Sequence, residues 1–153
     1  MNDETVPIAE VAAGGDVLFH GLLFALAACV LFLASVLRIR GTEEVVLPIC
    51  DVPVPGVCSF KRLVGADCPG CGLTRCFVSL AHGDVRRAWH FNPAGVYLFV
   101  LVAMQLPYRL LQIGRLRRGF DEIHLGWITT LAVGSLVLAL LGQWVARVVA
   151  AFL

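Results

Sequence analysis

Apolar positions in this chain gather into three long runs, separated by stretches rich in charge, proline and glycine. The first run covers residues 17–37 and holds no formally charged side chain. The second opens at Pro93 and continues to about residue 111; the third covers residues 125–146. Crossing a bilayer as a helix takes ~20 mostly apolar residues. The pattern therefore predicts an all-α integral membrane protein with spans at 17–37, 93–111 and 125–146, in a single membrane domain. Trp127 and Trp144 in the last run are ~26 Å apart along a helix. That spacing fits two interfacial anchors bracketing one hydrocarbon layer, although packing against neighbouring helices would also accommodate both rings.

Polar patterning organises the rest. Residues 1–16 read as a polar tail. Residues 38–92 form one substantial loop, too long for a plain helical connection and so expected to carry structure. Within it, residues 43–58 combine Val45, Val46, Leu47 and Ile49 with Pro48, Pro53 and Pro55. Proline at this density excludes a helix and a central strand and predicts an extended segment over the helix ends. From Leu73 the period turns helical: Leu73, Phe77 and Leu80 share a face, while Arg75, Ser79 and His82 point elsewhere. A short helix is expected over 72–82, with Gly83 as its stop. Asp84 is a suitable N-cap for a second short helix over 84–91. Its Trp89 and basic residues Arg86 and Arg87 suit the headgroup level. Asn92-Pro93 then caps and opens the second span. Pro107 predicts a kink there, and Arg109 is expected to snorkel toward the interface.

Composition agrees. Of 153 residues, 59% are hydrophobic and only 15% charged, with mean hydropathy +0.85. A net charge of +1 favours neither nucleic acid nor an acidic partner. The lipid bilayer is the expected environment, with a membrane protein or a second copy as further candidate partners. The tail before the first run is acidic, without the basic segment of a secretory signal, so the first helix reads as retained. Arg38, Arg40, Lys61, Arg62, Arg75, Arg86, Arg87 and Arg147 fall on one side of a three-span layout. Arg109, Arg115, Arg117 and Arg118 fall on the other. The positive-inside rule then puts the long loop in the cytosol of a cell-membrane protein.

Candidate chemistry concentrates in Cys68-Pro69-Gly70-Cys71-Gly72-Leu73-Thr74-Arg75. Five of the six cysteines (Cys50, Cys58, Cys68, Cys71 and Cys76) fall within residues 50–76, while Cys29 is mid-span and reads as a small packing residue. Pro69-Gly70 fits a type II turn with Gly70 at positive φ, which brings the flanking Cα atoms within ~7 Å. That separation permits a disulfide or a shared metal. A helix start at Cys71, with Arg75 a turn onward, favours a thiolate. Three readings stay open: inert or disulfide-linked structural thiols, a zinc site built from Cys58, Cys68 and Cys71 with Cys50 or Cys76 as fourth ligand, and a redox dithiol of Cys68 and Cys71. His82 would lie ~16 Å beyond Cys71 on a helix, out of reach of a common metal. Thr74 and Arg75 could hold a lipid phosphate, or simply begin a helix. His20, His90 and His124 sit near span ends and need no special role. No hydrolytic triad or phosphate-binding glycine loop is visible, and the spans lack acidic residues, against proton-coupled transport.

The run Cys58-x₉-Cys68-Pro69-Gly70-Cys71-Gly72-x-Thr74-Arg75, followed by Gly83-Asp84, Ala88 and Asn92-Pro93, resembles the family called domain of unknown function 2752. The resemblance covers about residues 55–112 and implies a small bacterial membrane protein. It brings no activity, cofactor or catalytic residue. The expected function is a non-enzymatic membrane module whose cysteine loop, stabilised by thiols or metal, docks a partner or a lipid headgroup. A membrane thiol–disulfide oxidoreductase is the first alternative and a subunit of a transport complex the second.

Overall fold

The computed structural model describes residues 8–41, 44–47, 52–53 and 68–152. Five helices are present among them: α1 (Ile8–Val36), α2 (Leu73–Ala81), α3 (Val85–Phe91), α4 (Pro93–Leu116) and α5 (Gly126–Phe152). Three carry segments long and apolar enough to cross a membrane: Asp16–Val36, Pro93–Leu116 and Gly126–Ala150. The architecture is all-α with three candidate spans, as the apolar runs predict. Helix α1 begins inside the stretch read as a polar tail, and α4 and α5 continue past residues 111 and 146.

The first part of the loop departs from expectation. A three-stranded antiparallel sheet forms from β1 (Arg38–Arg40), β2 (Glu44–Leu47) and β3 (Val52–Pro53), in the order β1-β2-β3. Arg38 pairs with Val46 and Leu47 with Val52. The proline-rich segment thus supplies a central strand after all. It does so because β2 is short and ends before Pro48, while Pro53 falls on the edge strand, where a missing N–H is tolerated. Gly41, at φ 61°, follows β1 where the chain turns back toward β2.

Packing is between small surfaces. Helix α1 lies along α4, α2 and α3 pack on the start of α4, and α5 lies against α4. Ala27 and Ala34 of α1 and Ala94 and Gly95 of α4 are buried, so the backbones can approach closely. Phe77 of α2 meets Phe99 of α4 edge-on, with centroids 5.2 Å apart. Leu131, Leu138 and Val145 of α5 are exposed, as expected of side chains that face lipid.

The helix joints follow local chemistry. The amides of Gly83 and Asp84 donate to the carbonyls of Leu80 and Ser79, completing a Schellman stop with Gly83 at φ 81°. Asp84 Oδ1 then accepts from the Arg87 amide at 2.9 Å and caps α3. Asn92 ends α3 and caps α4, with Pro93 at its first position. On α2, Phe77 is buried as its spacing predicts, but Cys76, Val78 and Ser79 are buried with it while Leu73 and Leu80 are only half-buried, because α2 is covered from both α1 and α4.

Candidate functional site

The cysteine turn is two turns in succession. The Cys71 amide donates to Cys68 O at 3.0 Å, closing the first across Pro69-Gly70. Gly70 does not take positive φ, so the expected type II geometry is absent there. It appears two residues later. Leu73 N donates to Gly70 O at 3.1 Å, and Gly72 adopts φ 84°, ψ −1°, the third position of a type II turn. Tertiary contact decides which glycine bends. A Cβ on Gly72 would lie 2.7 Å from Phe91 O. The chain passes so close to the end of α3 that only glycine fits.

The turn is held from below by Asn92, which is fully buried. Its Nδ2 donates to Cys71 O at 3.1 Å. Its Oδ1 accepts from the Gly95 amide at 2.8 Å, and from Gln143 Nε2 at 2.8 Å. Gln143 reaches in from α5: Nε2 also donates to Pro69 O at 3.2 Å, and Oε1 accepts from the Ala94 amide at 3.1 Å. Arg147, one helical turn further, donates to Cys71 O at 3.3 Å and to Phe91 O at 2.7 Å. A guanidinium beside the last carbonyls of α3 also complements that helix end. Arg75 and Arg87 each lie 5.7 Å from the centroid of the Phe91 ring.

Sequence reasoning placed Asp84, Asn92 and Pro93 correctly as joints. It missed Gln143 and Arg147. The available signal was two polar residues at i, i+4 on an otherwise apolar helix, which in a membrane segment marks a functional or buried position.

The remaining predicted residues divide. Cys68 and Cys71 are half-buried at the two ends of the first turn. Thr74 is exposed on α2. Cys50 and Cys58 lie outside the described residues, and with them the Cys58–Cys68–Cys71 zinc set. Among the described residues, no three His, Cys, Asp or Glu side chains group so as to hold a metal ion. Cys76, once a candidate fourth ligand, is a core thiol. It is fully buried, its Sγ donates to Asn92 O at 3.4 Å, and a Cβ on Gly95 would approach that sulfur to 3.0 Å. Burial raises its pKa from 9.0 to about 11. His82 is exposed and turns its Nδ1 back to Val78 O at 2.8 Å.

A second polar knot lies where α1, α4 and the loop before α5 meet. His20 is buried, its Nε2 3.0 Å from Glu122 Oε1 and its Nδ1 2.6 Å from Arg109. A guanidinium only donates, so Nδ1 accepts and Nε2 carries the proton given to Glu122. Arg109 also donates to Gln105 Oε1 at 2.9 Å. Gln112, fully buried, donates to Ile123 O at 2.8 Å and accepts from Ile123 N at 3.1 Å. Thus Arg109 bridges within the bundle instead of snorkelling outward, and His20, expected to need no special role near its span end, ties α1 to α4 and to the loop before α5.

No curated protein and no solved structure matches this chain. Residues 58–106, which include the turn, both short helices and the first half of α4, match the family model described as protein of unknown function (DUF2752).

Proposed function

We propose that this chain is an integral membrane module whose cysteine turn is a rigid docking surface at the bilayer edge, not a catalytic centre. One observation carries this reading: Asn92, Gln143 and Arg147 converge beneath the turn and aim their donors at main-chain carbonyls. They fix the shape of the backbone and present no acid or base to a substrate. The loop is proposed to face the cytosol, in line with its excess of Lys and Arg.

The test is a Cys68→Ser/Cys71→Ser variant of the full chain in mild detergent. Docking by shape expects the variant to keep its unfolding midpoint and the protection of Cys76 from alkylation. Stoichiometric zinc in the purified protein, lost in the variant, would identify metal as the stabiliser; no bound metal would count against that version.

The oxidoreductase alternative has its own support, since the first turn joins two half-buried thiols in C-x-x-C spacing ahead of a helix. It requires a reversible disulfide. Alkylation mass shifts that differ with and without reductant, together with a defined reduction potential, would replace the docking reading with the redox one.

A further inference from the structure

We infer that the face of α2 toward β1 is a binding site for an anionic phospholipid, with a cationic headgroup pocket continuous with an acyl-chain groove. The inference rests on the docking reading and names what this part of the surface holds.

The groove comes first. It has a volume of about 400 Å³, lies between α1, α2 and α4, and is walled by Leu33, Phe77 and Leu98, with Thr74 as its polar member. Its size falls within the range usual for small-molecule sites. A second pocket of about 350 Å³ lies beside it, in which Arg38, Ser79, His82, Asp84 and Arg87 supply polar groups between apolar walls. The two share Val78 as a wall, and Leu37 of the groove is followed directly in sequence by Arg38 of the pocket. This junction is just past the end of α1, where a membrane-crossing helix gives way to strand. An apolar groove that shares a wall with a pocket bearing two arginines at that level matches an amphiphile with fatty chains and a negative head.

Ser79 supplies the independent sign of a missing partner. It is buried, it lines the second pocket, and its Oγ is the buried side-chain oxygen without a hydrogen-bond partner among the described residues. Buried hydroxyls are nearly always bonded. A serine on a helix commonly turns back to a carbonyl of the preceding turn, and this one does not. A phosphate oxygen entering the pocket would satisfy it.

The charges fit one negative group. Arg38 is exposed at the pocket edge and carries one positive charge. Arg87 is anchored by its Nη2 to Gly41 O at 2.6 Å, which fixes its guanidinium beside the pocket. Asp84 opposes them with one carboxylate, whose Oδ1 caps α3. A headgroup with a single phosphate charge and hydroxyls for Asp84, as in phosphatidylglycerol, suits this set better than one with several negative charges.

Native mass spectrometry of the full chain in mild detergent tests this with added dioleoyl phosphatidylglycerol or dioleoyl phosphatidylcholine. One phosphatidylglycerol should be retained per chain in preference to phosphatidylcholine. Arg38→Gln should cut that retention about fivefold, the effect of one basic residue at an anionic surface. Ser79→Ala should also cut it, and breaks no hydrogen bond of the fold. Arg118→Gln, an exposed charge beyond the far end of α4, should leave retention unchanged. Equal retention of the two lipids, or equal losses in the Arg38 and Arg118 variants, overturns the inference. So does inorganic phosphate at millimolar concentration binding as well as the lipid, which would make this a plain anion site. Each of these results with the cysteine turn still intact removes the lipid site alone. A turn that collapses in the Cys68→Ser/Cys71→Ser variant removes the docking reading.

Discussion

Replacing Asn92 with alanine should uncouple the cysteine turn from both long helices beneath it. The side chain makes three hydrogen bonds, to Cys71 O, Gly95 N and Gln143 Nε2, from a fully buried position. Two of the partners keep another contact: Cys71 O retains Arg147 and Gln143 retains Pro69 O. The Gly95 amide, also buried, loses its cap outright. An N-cap truncated to alanine costs about 0.5–2 kcal/mol. Each of the other two bonds adds about 0.5–1.5 kcal/mol. The sum is about 3 kcal/mol. At about 2–4 °C per kcal/mol for a chain of this size, the midpoint should fall by about 6–12 °C.

Asn92→Asp separates the roles. It keeps an oxygen for the Gly95 amide and for Gln143, but turns a second oxygen toward Cys71 O in place of the donor, in a fully buried site. Its midpoint should therefore fall at least as far as that of the alanine variant, while the cap on Gly95 survives. Thermal unfolding in mild detergent, with hydrogen exchange followed at Gly95 and Leu73, reads both variants. Faster exchange should be confined to the cysteine turn in Asn92→Asp and extend to Gly95 in Asn92→Ala. An alanine variant with an unchanged midpoint, or an aspartate variant whose Gly95 amide exchanges as fast as in the alanine one, would refute the view that this side chain secures the turn.

Other expectations follow from single contacts. Gly72→Ala places a Cβ against Phe91 O and a side chain in the left-handed region, so a loss of more than about 2 kcal/mol is expected in the same unfolding assay. Cys76 should resist maleimide at pH 8 in the folded protein and react after denaturation. Because its folded pKa is raised to about 11 from 9.0, its contribution to stability is complete below pH 9 and lost as pH climbs through about 11. A midpoint falling over that interval in the parent but less steeply in Cys76→Ala would bear this out. Glu122→Ala strands the buried His20 Nε2–H and should cost about 1–3 kcal/mol. Proteolysis within residues 117–125 should quicken with it, and an unaltered rate would show that the contact with His20 does not hold this loop.

What the sequence disclosed tracks the range of the forces involved. The three long helices were legible because lipid imposes a uniform demand on ~20 consecutive residues. The joints at Gly83, Asp84 and Asn92 were legible because capping reaches only three or four residues along the chain. The β-sheet was obscured because proline density over the whole segment hid a short proline-free strand. The left-handed glycine was misplaced for a different reason. Local preference favours Gly70 after Pro69, but the approach of Phe91 O, nineteen positions beyond Gly72, selects Gly72. Gln143 and Arg147 act on the turn across most of the remaining chain, and His20 meets Glu122 across a longer stretch still. No local pattern encodes such pairings.

The residues of the motif divide in the same way. Gly72, Asn92 and Pro93 now have sufficient reasons in backbone geometry: a close approach, a shared cap and a helix start. A residue conforming to such a motif need not touch a ligand to be required. Thr74 differs. It is exposed, and its hydroxyl makes no hydrogen bond and no cap among the described residues, yet it lies on the wall of the groove between α1, α2 and α4. Packing alone would accept many residues there. A lipid seated in that groove would not, so Thr74→Val and Thr74→Arg should leave the unfolding midpoint nearly unchanged, while only the arginine, which sets a bulky charge in an apolar channel, should displace bound phosphatidylglycerol.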